Sequence, residues 1–129
     1  MTKVIRQNDL IDSITDALQF ISYYHPKDFI DAVHDAYKRE INPAAKDAMA
    51  QILINSRMCA EGHRPICQDT GIVSVFLKVG MSVSWDSDMS LEDAVNEGVR
   101  RAYNHPENKL RASVLSDPDG ARKNTGDNT

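Results

Sequence analysis

The amino-acid sequence predicts an α+β fold: an N-terminal layer of three helices, a loop bearing Cys67, a strand or short hairpin, a fourth helix and an irregular polar C-terminal tail. Three observations carry this reading. Apolar residues recur every three or four positions from Leu10 to Leu53, the spacing of one helix face. The period changes to two over Val73, Val75, Leu77 and Val79. From Ser116 to Thr129 there is no large apolar residue.

Leu10, Ile11, Ile14, Leu18 and Ile21 define a first helix over about 9–23. His25-Pro26 interrupts it, and Pro26 suits the first turn of the next helix, where its missing N–H would have no partner. Phe29, Ile30, Val33, Tyr37 and Ile41 give that helix its inward face. Asn42-Pro43 is a second start signal, an N-cap followed by proline, and opens a third helix to about Ala60 with Ala45, Ala48, Met49, Ile52, Leu53 and Ser56 on one side. Gly62, Pro65 and Gly71 then punctuate a loop.

Beyond Gly71 the alternation predicts a strand, with Gly80 turning the chain and Met81, Val83 and Trp85 forming a short second strand. Ser90 with Asp93 three residues later is a capping-box pair, so a fourth helix is expected from 91 to about 104, ended by His105-Pro106. The tail cannot pack a core by itself. It is either frayed or a loop whose partners lie in sequence outside this chain.

A chain of 129 residues allows one core. Its 41% hydrophobic and 26% charged residues are those of an ordinary globular protein. A formal charge of -4 is the wrong sign for neutralising phosphates, which argues against nucleic acid. No stretch reaches the roughly 20 apolar residues of a membrane span, and residues 1–8 lack a signal-peptide core, so no membrane partner and a cytoplasmic address are expected.

Two cysteines, Cys59 and Cys67, are too few for a disulfide framework. Cys59 follows Ile52 by two helical turns and reads as a small buried hydrophobe. Cys67 sits between a rigid proline and a permissive glycine, where its side chain need not face a core. Gln68, Asp69 and Thr70 add an amide, a carboxylate and a hydroxyl, and Gly71 permits close backbone approach to a ligand. Isolated loop thiols are common, and Asp69 is also suited to an Asx turn ahead of Gly71. His63 reads as exposed, His25, His34 and His105 as cap or surface residues, and Arg100-Arg101 as a solvated face. A structural zinc site would need four closely grouped Cys or His ligands, which the sequence does not offer.

The runs Arg64-Pro65-Ile66-Cys67-Gln68-Asp69-Thr70-Gly71, Lys109-Leu110-Arg111-Ala112-Ser113 and Arg122-Lys123-Asn124-Thr125-Gly126-Asp127-Asn128-Thr129 occur in this order. Together they resemble the opening region of the class I, iron-sulfur-dependent fumarate hydratases and the related L-tartrate dehydratase alpha subunits. The resemblance covers the chain from Asn8 onward. It implies that 1–129 is the N-terminal part of a hydro-lyase catalytic domain, truncated and expected to be inactive alone.

The resemblance further implies a [4Fe-4S] cluster held by three cysteines, with one iron left open to substrate. Cys67 corresponds to the first of the three, and the other two have no counterpart here. Gln68 and Asp69 would contact substrate, Asp69 as the catalytic proton donor or acceptor, and Arg111 would clamp a carboxylate of a small dicarboxylate. Such enzymes hydrate fumarate reversibly to (S)-malate and assemble as homodimers or alpha-beta pairs. The same residues suit L-tartrate equally well, and a non-catalytic helical interaction module with an incidental loop thiol is the alternative of a different class.

Overall fold

A computed structural model describes residues 2–68, 71–117 and 123–129. Among these, two strands and four helices follow in the order β1 (Lys3–Arg6), α1 (Gln7–Tyr23), α2 (Lys27–Arg39), α3 (Pro43–Gly62), β2 (Val83–Asp86) and α4 (Leu91–Tyr103). The α+β class expected from the sequence is the observed one. The chain divides into two compact units, Met1–Gln19 with Gln68–Thr129, and Phe20–Cys67. None of the described helices is long and apolar enough to cross a membrane.

The first unit holds the main core. Val99, Ala102 and Tyr103 of α4 cluster with Leu110 and Ala112, and Ile14, Leu18 and Val73 pack against them. The spacing of Ile11, Ile14 and Leu18 explains why this part of α1 faces α4. Gly98 lets the two helices approach closely: a methyl group there would lie 2.8 Å from Ile14 Cβ and 3.0 Å from the Ile11 carbonyl oxygen. Thr15 Oγ1 donates across the same contact to the Gly98 carbonyl at 3.1 Å. Ser90 caps α4 as expected: the Asp93 N–H donates to Ser90 Oγ at 3.0 Å, and that hydroxyl donates to Asp93 Oδ2 at 2.7 Å.

The sheet differs from expectation. β2 occupies the second of the two predicted strand positions, but its partner is β1, in parallel, with Ile5 opposite Trp85. Residues 73–79 form no strand among the described residues. Alternation gives a segment strand propensity, but a strand exists only where a neighbour completes its ladder. Val73 joins the core, whereas Phe76 is 93% exposed.

In the second unit α2 packs on α3. Pro26 stands at the N-cap of α2, one position before the predicted first turn. Ile41, assigned to its inward face, lies beyond the helix end and is 92% exposed, because α2 stops at Arg39. Asn42 caps α3 as read, its Oδ1 accepting from the N–H groups of Ala44 at 2.9 Å and Ala45 at 3.3 Å. Ile52 is half-exposed, while Ser56 and Cys59 are the buried residues of α3.

Of the polar tail, the described residues 116–117 and 123–129 are held by hydrogen bonds, where the sequence suggested fraying or partners outside this chain; 118–122 lie outside the described residues. An antiparallel bridge joins Leu115 to Asn124. Thr125 N–H donates to the Val114 carbonyl at 2.9 Å, and Asn124 Nδ2 to that of Ala112 at 2.6 Å. Asn128 is buried. Backbone carbonyls and N–H groups of 112–116 thus hold residues 123–129, which have no apolar side chain to bury.

Candidate active-site region

The backbone leading to Cys67 is pinned on three sides. His63 ends α3 in the left-handed conformation (φ 47°), a position in which His is several-fold enriched among non-glycine residues. Its ring stacks on Tyr23 with centroids 4.7 Å apart. Ile66 N–H then donates to the Ser22 carbonyl at 2.9 Å, and Asn55 Nδ2 donates to the Ile66 carbonyl at 3.1 Å. Cys59 Sγ lies 3.6 Å from the Pro65 carbonyl oxygen.

The two thiols therefore have opposite situations, as their sequence positions suggested. Cys59 is 6% exposed, its sulfur between the Asn55 side chain and the Pro65 carbonyl. Cys67, one residue past the pinned backbone, is exposed. Among the described residues no group of three or more His, Cys, Asp or Glu side chains converges as a metal site. Cys67 can supply one thiolate to a metal centre, whereas the Cys59 sulfur is buried against Asn55 and the Pro65 carbonyl.

Gln68 is exposed. Asp69 and Thr70 lie outside the described residues. Gly71 has φ 67°, and a Cβ there would meet nothing within 4 Å, so its left-handed backbone rather than crowding calls for glycine. Arg111 is exposed between Leu110 and Ala112, both of which are buried in the core.

Asn128 was covered by the third sequence run but had no role of its own. Its Oδ1 accepts from the N–H groups of Ser113 at 2.6 Å and Val114 at 3.0 Å, and its Nδ2 donates to the Gly71 carbonyl at 3.1 Å. Its φ of 64° is a conformation that asparagine tolerates better than most residues, the one signal its sequence position offered.

Beside it, Asp127 Oδ1 accepts from the Thr129 hydroxyl at 2.8 Å and N–H at 3.1 Å, and Oδ2 from Arg100 Nε at 3.1 Å. These donors, Thr129 first and Arg100 after it, hold the Asp127 carboxyl below its ordinary value. Hydrogen bonds from Arg101 and then Arg100 do the same for Glu97. Arg100 and Arg101, read from sequence as a solvated face, are thus tied into an ion-pair network that also includes Asp12. An open cleft of about 490 Å³ adjoins them, lined by Thr15, Glu97, His105 and Pro106 among others, and holds none of the residues of the three sequence runs.

Residues 11–129 match the family model of fumarate hydratase (Fumerase). Over 104 residues, 81% of this chain, the sequence is 32% identical to a putative L(+)-tartrate dehydratase subunit alpha of Methanocaldococcus jannaschii. Over 105 residues, 80% of the chain, it is 31% identical to a putative fumarate hydratase class I of Geobacillus stearothermophilus. The matches span 36% of the first relative's length and 19% of the second's. With a family match running over nearly all its length, the chain belongs to the fumarate hydratase (Fumerase) family.

Proposed function

We propose that this chain forms part of a hydro-lyase that adds water reversibly across the double bond of fumarate to give (S)-malate, and that Cys67 is one ligand of its iron-sulfur cluster. The observation that carries the reading is the family match over residues 11–129, which takes in all of the chemistry-bearing loop. The donor chemistry is compatible: one exposed thiol on a pinned backbone is suited to one corner of a [4Fe-4S] cluster, with further ligands from outside this chain. When bound, such a cluster supplies a Lewis acid at an open iron.

The chain's own residues have separable tasks. Hydration places a proton on one alkene carbon and a hydroxyl on its neighbour, and dehydration removes both. Asp69 is assigned the proton, a task for a positioned carboxyl group. Arg111 is assigned one substrate carboxylate, which a guanidinium grips through two parallel N–H groups. The Gln68 amide, donor and acceptor at once, is assigned to orienting the substrate beside them.

A second reading keeps the chemistry and changes the substrate to L-tartrate. The relative from Methanocaldococcus jannaschii favours it. The test is turnover by the full-length protein after anaerobic reconstitution. Interconversion of malate and fumarate, with L-tartrate a poor substrate, is the expected result. A clear preference for L-tartrate replaces the first reading with the second, and inactivity on both rejects the hydro-lyase assignment.

A further inference from the structure

We propose that Asn128 is a positioning residue that fixes Gly71, the end of the Gln68–Gly71 run, against the segment that carries Arg111. This rests on the functional reading above, which gives Gln68, Asp69 and Arg111 a common substrate. The three groups come from two stretches some forty residues apart in sequence, and their alignment needs a link between those stretches.

Asn128 provides one. Its side-chain carbonyl accepts from two consecutive N–H groups, Ser113 and Val114, just after Arg111. Its amide nitrogen donates to the Gly71 carbonyl. At 5% exposure these bonds have little competition from water. The residue is itself fixed, since its own N–H donates to Thr125 Oγ1 at 3.0 Å.

The chemistry of the position is narrow. Aspartate keeps an acceptor for Ser113 and Val114 but puts an oxygen against the Gly71 carbonyl, where a donor is needed. Alanine removes all three bonds. Glutamine has the right groups on a longer arm. Asn128→Asp therefore separates the link to Gly71 from the bonds that hold Asn128 to the Arg111 segment.

The test uses the full-length protein, reconstituted anaerobically, as wild type, Asn128→Asp and Asn128→Ala. Iron content, visible absorbance, thermal midpoint and steady-state kinetics are measured on each. The expected result for Asn128→Asp is wild-type iron and absorbance with kcat/KM lower by about tenfold to a hundredfold, the effect of small misplacements of substrate-binding groups. Hydrogen exchange at the Ser113 and Val114 amides should be slow in wild type and Asn128→Asp and fast in Asn128→Ala. Normal kcat/KM per bound cluster in Asn128→Asp overturns the positioning role, as does fast exchange of those two amides in wild type. Wild-type protein with neither iron nor hydration overturns the functional reading instead, so the two failures are distinct.

Discussion

Gln19 and Asn108 form a buried pair of amides: Asn108 Nδ2 donates to Gln19 Oε1 at 2.9 Å, while Gln19 Nε2 donates to the Asn108 carbonyl at 3.0 Å and to the Ala102 carbonyl at 2.6 Å. The pair ties α1 to the end of α4 and to the turn leading into the Arg111 segment. Replacing Gln19 by leucine strands buried groups that cannot turn to water. At about 1–3 kcal/mol for each such group, Gln19→Leu should lower the unfolding free energy by roughly 2–4 kcal/mol. Urea denaturation of the full-length protein checks this, and a loss under about 0.5 kcal/mol would mean that the pair is dispensable.

Gly98 gives a prediction whose sign opposes helix propensity. In an exposed helix, Gly→Ala stabilises by about 1 kcal/mol. Here the added methyl would press on Ile14 Cβ and the Ile11 carbonyl, both parts of α1 that cannot swing aside. Overpacking typically costs about 1–3 kcal/mol, so Gly98→Ala should be net destabilising, with a lower thermal midpoint.

Acid should weaken the tail. The Asp127 and Glu97 carboxyls are both held below their ordinary values, so their ionised forms are favoured by folding. A depressed carboxyl contributes stability that is present above its unfolded value and lost as pH falls through the folded one. The window therefore lies at and below the ordinary values of 3.8 for Asp127 and 4.5 for Glu97. Asp127→Asn should show a lower thermal midpoint at neutral pH and a shallower fall on acidification than wild type. Thermal melts across this range test it.

Arg111→Lys keeps the charge but removes the planar fork. In the full-length enzyme its main expected effect is on dicarboxylate binding, a rise in KM of about tenfold or more with a smaller change in kcat. Unchanged kinetics would remove Arg111 from the substrate site.

What the sequence made legible was local. The caps at Asn42 and Ser90 depend on residues within three positions, and both formed. The contrast between Cys59 and Cys67 followed from helical periodicity and the loop between them. The pairing of Lys3–Arg6 with Val83–Asp86 was not legible, because two four-residue strands about eighty positions apart carry no mutual signal. Nor were the roles of Gln19, Asn108 and Asn128, since polar side chains ordinarily read as surface until their buried partners are known. The ordering of residues 123–129 was hidden for the same reason: backbone and amide hydrogen bonds hold them, and these leave no hydrophobic pattern.

The most direct measurement is iron content and visible absorbance of the full-length protein, anaerobically reconstituted, as wild type, Cys67→Ser and Cys59→Ser, with fumarate hydration assayed on each. Loss of both the cluster absorbance and the hydration in Cys67→Ser, with both retained in Cys59→Ser, is the predicted result. Normal iron and normal turnover in Cys67→Ser would contradict it.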